Sequence, residues 1–393
     1  MAINLFHQCG HNAVWNRESL TKDGCGSGLI VSPVHQNRAS VEKLSDNVRS
    51  HSFFDPQFYL PNSQKPKLAS YDFFPEVISN GFATADFALR ALDAANRCVA
   101  FQVDNGFLRV VIPARHFGEM YPDYTDRQDA YAVHPFLQAI SEQRVTLPIY
   151  LTVPVTKAML LHAGYRAMLL NWITSYPELA GVYLLVEDER PTKQIQELEF
   201  LKAYLTTVTE LVQAGLIVTL GHANTEGLLF TLVEGCELTF GAYENTRMFS
   251  IDKFVVTDEE RRGPKARLYV AGLVNWIQYS QAKQLRDEMP DLWRSVYDPT
   301  TYGNRALAAA AEPHFGYPGL YKHFFLNYDR QVATLGGMSV ADRYTALRQL
   351  LLSARDRYEE IQDFPIDLER HGAGNHIQPW LDLANWYHRT YLA

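Results

Sequence analysis

Residues 215–249, GLIVTLGHANTEGLLFTLVEGCELTFGAYENTRMF, limit how this chain can fold more than any other stretch. Residues 216–220 form a short apolar run without polar alternation, the pattern of a strand covered on both faces. Gly221 ends that run. Asn224 or Thr225 is placed to cap a helix, Glu226 puts negative charge in its first turn, and Leu228, Leu229, Leu232 and Val233 supply an inner face. Gly235 closes the helix, and 237–242 reads as a second strand running into Tyr243, Glu244, Asn245, Thr246 and Arg247. A strand with no polar face is covered on both sides, which calls for further strand–helix units of the same kind beside it. In such a sheet the loops 221–225 and 243–247 lie side by side at the carboxyl ends of parallel strands, where ligands bind.

The same alternation runs through the first 250 residues. Strands are expected at 3–7, 29–34, 53–54, 108–112, 148–153 and 181–186, besides the two already placed. Helices are expected at 13–22, 39–48, 84–95, 130–143, 157–175 and 197–213. Eight strands with helices between them predict a (β/α)8 TIM-type barrel over residues 1–250. An open doubly wound sheet has the same local pattern. Asn105-Gly106 also allows a hairpin of 99–103 with 107–112, because Asn-Gly suits the turn that matches strand twist. Residues 251–393 predict a helical C-terminal region packed on the barrel, with 340–361 as its long amphipathic member.

Composition narrows the class. Among 393 residues, 47% are hydrophobic and 20% charged, which excludes a disordered chain. No apolar run is long enough to span a bilayer and residues 1–10 lack the order of a secretory signal, so a cytoplasmic protein without membrane contact is expected. Cys9, Cys25, Cys98 and Cys236 stand far apart, which argues for reduced thiols and against a zinc site. A net charge of −8 argues against a surface devoted to nucleic acid. The one basic cluster, Arg261, Arg262, Lys265 and Arg267, reads as a solvated loop or as a phosphate-backbone contact.

The barrel reading makes the polar residues at strand ends the candidates for chemistry: His7 and Gln8, His35, Asp55 and Gln57, Arg115 and His116, Glu187 and Asp188, His222, and Glu244, Asn245 and Arg247. Asp55 and Glu187 are the preferred acid/base pair, since two carboxylates in a partly dry pocket have their proton affinities pushed apart. The competing explanations are structural: surface ion pairs of 187–189 with Arg190 or Lys193, and a turn-stabilising role for Asp55 before Pro56. Residues 221–225, with Gly221 and His222 at their head, lie ahead of the expected helix and form either a tight βα turn or an anion seat. His7, His35 and His222 lack the spacing of a metal motif, and no dinucleotide, NTPase or serine-hydrolase motif occurs. No cofactor or metal is expected.

VTLGHANTEGLLFTLVEGCELTFGAYENTRMF resembles the last barrel repeat of the tRNA-guanine transglycosylase superfamily. Gly221 matches the first glycine of that repeat, Glu226 and Leu228-Leu229 fall near its helix start, and Thr246-Arg247 matches its closing pair. Asp55 in FFDPQFY is similar to the aspartate of the family's D-S-G-G-F motif, and 340–361 is similar to its C-terminal helices. The resemblance implies a glycosyltransferase that exchanges a base at a glycosidic bond in nucleic acid, with one aspartate as nucleophile and another in proton transfer. Three departures stand against it. Gly241 occupies the nucleophile's position, the C-x-C-x-x-C zinc knuckle is absent, and Ala114-Arg115 stands where the family reads the base with aspartate. Covalent exchange at Gly241 is excluded chemically, since glycine offers no nucleophile. Glu244, three residues on, is the available substitute.

Three functional readings follow. The first is a transglycosylase-like enzyme of a nucleoside or nucleic acid, with Asp55 and Glu187 as catalytic pair. Its substrate contacts would come from Gln57, Arg115, Gly221, His222, Glu244, Asn245 and Arg247. The second is a catalytically inactive barrel that binds a nucleobase, nucleotide or protein partner. The third is an unrelated barrel lyase or hydrolase of a small metabolite.

Overall fold

The computed structural model describes residues 2–74, 84–189, 193–256, 263–364 and 366–392. Eight parallel strands form one sheet in the order β3-β2-β1-β8-β7-β6-β5-β4. They are β1 (Leu5–Gln8), β2 (Gly28–Val31), β3 (Phe53–Phe54), β4 (Val110–Ile112), β5 (Ile149–Thr156), β6 (Leu179–Glu187), β7 (Ile217–Gly221) and β8 (Cys236–Gly241). The first strand pairs with the last, Phe6 opposite Thr239 and Gln8 opposite Gly241. Across the remaining seam, Leu108 N–H donates to Ser52 O at 2.8 Å. The chain is therefore a (β/α)8 barrel, nearly closed, with further helices after residue 278.

Each strand has one side in the barrel and the other under the helices. Phe6, Ile30, Phe53, Val111, Tyr150, Tyr183 and Leu185 fill the interior, whereas Leu5, Val31, Phe54, Val110, Leu184 and Phe240 belong to the layer beneath the helices. This two-sided burial is why the strands lack polar alternation. The lower interior also holds charge. Arg109 donates to Glu237 from Nη1 at 2.7 Å and from Nη2 at 3.1 Å. Asn4 and Thr219 add bonds to the same carboxylate, and the guanidinium lies 3.9 Å from the centre of the Tyr150 ring. Burial acts to raise the Glu237 carboxyl, but these donors outweigh it and hold the group below its usual range.

Several local expectations are corrected. The stretch 225–232 is a 3-10 helix, Thr225–Leu232, buried throughout and without a side-chain cap from Asn224. C-terminal side chains satisfy its backbone instead: Tyr328 O–H donates to Asn224 O at 3.2 Å and Arg343 Nη1 to Thr231 O at 3.1 Å. Asn105-Gly106 makes no hairpin. A helix runs over Thr84–Asp104, and Gly106, at φ 67°, turns the chain out of it. Gln102, on that helix, brackets β4 by accepting from Val111 N and donating to Val111 O. The helix expected at 39–48 is two, Arg38–Glu42 and Asp46–Arg49, and that at 157–175 divides at His162 into Lys157–Leu161 and Ala163–Thr174.

Beyond the barrel, an antiparallel pair, β9 (Arg267–Val270) and β10 (Asn275–Gln278), precedes the helices Tyr279–Glu288, Pro290–Val296, Thr301–Leu307, Pro318–Gly336, Val340–Gln362 and Ile377–Tyr387. Among the described residues no helix is long and apolar enough to cross a membrane. All four cysteines are buried free thiols.

Candidate functional site

Asp55 stands just past β3, at the carboxyl end of the barrel, its N–H still in register on Val31 O at 3.1 Å. Its carboxylate accepts from Tyr59 O–H at 2.7 Å, Gln57 N–H at 3.1 Å and Gln57 Nε2 at 3.3 Å. Gln57 adopts φ 59°, and its Oε1 accepts from Ser32 Oγ and Val34 N, which fixes the amide so that Nε2 faces Asp55. Asp55 has 0% exposure, and burial raises its carboxyl to about 7 against the pull of those donors.

Tyr59, which donates to Asp55, is covered in turn by the chain after β8. Phe249 and Phe254 meet the Tyr59 ring edge to face at 5.3 and 5.1 Å. Ser63 Oγ donates to Phe254 O at 2.6 Å. Glu187, at the end of β6, holds the same segment by accepting from Ile251 N–H at 2.7 Å, while its other oxygen lies 2.9 Å from His116 Nε2. Burial acts to raise Glu187, but the His116 and Ile251 bonds prevail and keep it below the usual carboxylate range. Residues 248–256 are thus a strap across the barrel mouth, with Asp55 beneath it and Glu187 as one of its fastenings. The preferred pair is divided between two hydrogen-bonded networks.

Gly241 ends β8 on the side of the strand that also carries Glu237 and Thr239, and the turn Glu244–Thr246 follows it. A Cβ at Gly241 would lie 2.1 Å from Thr246 Oγ1 and 2.8 Å from Thr246 O. Thr246 is held there by bonding Tyr243 O from its hydroxyl at 2.6 Å and its N–H at 2.9 Å. The place from which a nucleophilic aspartate would project is occupied. Gly221 is equally confined, since a Cβ there would meet Leu185 Cδ2 at 2.2 Å and Tyr183 Cε2 at 2.5 Å.

The other candidates separate into groups. His222, at φ 55°, donates its N–H to Gln8 Oε1 at 3.3 Å, and Tyr183 O–H donates to the same oxygen at 3.0 Å. Burial, then the charge of Lys253, holds the His222 ring far below its ordinary proton affinity, and burial lowers His35 to about 4. His7 leaves the candidate set: its Nε2 bonds Cys25 O at 2.9 Å and its ring packs on Phe240 in the layer under the helices. Arg115 turns toward Phe117 and Tyr131, 5.7 and 5.3 Å from their ring centres. Asn245 is exposed. Asp188 lies 3.8 Å from Lys157, and Lys193 pairs with Glu244. Arg190, Arg261 and Arg262 lie outside the described residues. Among the described residues no group of three or more His, Cys, Asp and Glu could hold a metal ion.

A cavity of about 350 Å³ opens where the loops of β7 and β8 meet the β9–β10 pair. Asn224, Glu244 and Arg247 line it from the barrel, and Lys193, Lys265, Arg267, Gln278 and His371 from around it. Arg247 is buried, with its guanidinium 4.1 Å from the centre of the Trp276 ring and 5.3 Å from that of Phe324. Its Nε and Nη1, and the Oδ1 of Asn224, have no hydrogen-bond partner among the described residues. Burial lowers Arg247 to about 10 and, joined by the charges of Arg267 and Arg247, lowers Lys193 to about 7. Sequence reasoning reached Arg247 and Glu244 but missed Gln278, His371 and Trp276, which come from the C-terminal region and carry no spacing signal. Comparison of the chain with family models, with curated proteins and with solved structures gives no match.

Proposed function

We propose that this chain is a transglycosylase-like barrel that recognises a nucleobase or nucleotide without exchanging the base. Thr246 carries this reading: its side chain and carbonyl fill the volume a nucleophile at Gly241 would need. Exchange through a covalent glycosyl intermediate requires a nucleophile open to the anomeric carbon. Recognition requires only a pocket with matched polar groups, and the Arg247 cavity offers them. Asn224 Oδ1 is an open acceptor, Glu244 a second acceptor at the rim, and Arg247 a pair of open donors. Its volume lies within the range of small-ligand pockets, roughly 300–1,000 Å³.

Calorimetry with guanine, guanosine and GMP tests this reading, with an assay of labelled-guanine incorporation into RNA and DNA beside it. Saturable binding that Asn224→Ala weakens, without incorporation, is expected. Incorporation that depends on Asp55 would sink the reading. It would favour a second one, an Asp55 acid/base enzyme, whose support is a carboxyl held near neutrality by burial.

A further inference from the structure

Within the Arg247 cavity the balance of charge is one-sided. Lys193, Arg247, Lys265 and Arg267 line it, against the single carboxylate of Glu244. Glu369 engages Arg267 from behind, Nη2 to Oε1 at 2.5 Å, and Arg267 Nη1 donates to Trp276 O at 3.2 Å. Arg267 is therefore oriented by its neighbours. Arg247 is oriented by stacking instead: Trp276 and Phe324 hold the guanidinium, and its Nε and Nη1 meet no acceptor among the described residues. A buried guanidinium with unmet donors is costly, unlike an exposed one, which water satisfies. The four cations also repel one another, and burial weakens the screening between them.

We infer that this cavity is a phosphate-binding site, with Arg247 and Lys193 at its base, Arg267 on its wall and Lys265 at its rim. A phosphate oxyanion supplies what the site lacks: acceptors for Arg247 and negative charge among mutually repelling cations. Glu244, nearly half exposed, is free to yield Lys193 to the incoming anion because solvent can take up its carboxylate. Burial lowers both Lys193 and Arg247, and the charge of Arg267 adds to the lowering of each, against the opposing pull of Glu369 on Lys193 and of Tyr321 and Glu226 on Arg247. The inference deepens the proposed function and rests on the same reading of the cavity as a ligand pocket. It assigns to that pocket the phosphate of a nucleotide or of a nucleic-acid backbone.

The test uses the full chain and base-free inorganic pyrophosphate, followed by calorimetry and by thermal shift. Wild-type protein is expected to bind pyrophosphate saturably, Arg247→Gln about tenfold more weakly, and Lys265→Gln about threefold more weakly. Lys265 is exposed, so Lys265→Gln keeps the test decisive if Arg247→Gln fails to fold. No binding to wild-type protein, or equal binding to wild type and Lys265→Gln, overturns the inference. Guanosine, which carries no phosphate, separates the two readings: loss of guanosine binding with pyrophosphate binding intact removes base recognition and leaves the anion site standing. Displacement of pyrophosphate by GMP identifies a free nucleotide as the source, and displacement by a single-stranded oligonucleotide with a steep salt dependence identifies the backbone. Either displacement supports the site.

Discussion

Arg109 and Glu237, 128 residues apart in sequence, form a two-point ion pair inside the barrel, with Nη1–Oε2 at 2.7 Å and Nη2–Oε1 at 3.1 Å. Both side chains are almost wholly buried, so each is the other's chief solvation. Removing one strands the other, and Arg109→Met or Glu237→Leu should each cost about 3–5 kcal/mol in urea unfolding. The double variant Arg109→Met/Glu237→Leu should be less damaging than the sum of its parts. Additive losses would mean that the pair does not act as a unit.

Asp55 should make stability fall as pH rises. Its carboxyl titrates at about 7 when folded, against an ordinary value of 3.8, so the folded chain binds the extra proton between those limits. Stability is then highest below pH 4 with respect to this group and is lost progressively up to about pH 7, by several kcal/mol at about 1.4 kcal/mol per pH unit. Asp55→Asn should remove that slope. Thermal unfolding of both proteins from pH 5 to 8 measures it, and parallel curves would contradict the burial assigned to Asp55.

Gly241→Asp should not create a nucleophile. The new Cβ would press on Thr246, and overpacking of this kind costs about 1–3 kcal/mol before the added buried charge is counted. A lower melting temperature and no labelled-guanine incorporation are expected. Gain of incorporation in this variant would show that the Glu244–Thr246 turn moves aside.

The strap should loosen when Glu187 is removed. Glu187→Ala deletes the acceptor of Ile251 N–H and the partner of His116, so amide exchange at Ile251 should quicken by about tenfold. Because the folded carboxyl is held below its usual value of 4.5, its stabilisation is present above that pH and fades on acidification. Unchanged exchange at Ile251 would mean that the aromatic contacts alone hold the strap.

The barrel was legible because its strands are apolar on both faces, and strand ends such as Asp55 and Glu187 follow from that register. Their surroundings were not legible. Phe249 and Phe254 read as ordinary apolar residues after the last strand, and nothing in their spacing says that they close over Asp55. The 225–232 segment differs from its pattern for a related reason: the spacing of one inner face belongs to a stretch buried on every side, bonded by Arg343 more than a hundred residues later. Arg109 sits inside a strand chosen for its apolar neighbours, and its partner Glu237 opens another, so the pair emerges only when the barrel closes. The cavity depends on Trp276 and His371, which join Arg247 only through tertiary packing.

The proposed recognition takes place at the Arg247 cavity and not at Asp55. Titration of GMP into wild-type protein, Asp55→Asn and Arg247→Gln, with folding of each checked by circular dichroism, tests it most directly. Equal affinity for wild type and Asp55→Asn is expected, with about tenfold or greater loss for Arg247→Gln. Loss in Asp55→Asn with affinity kept in Arg247→Gln would place the ligand under the strap and rule out the Arg247 cavity as its site.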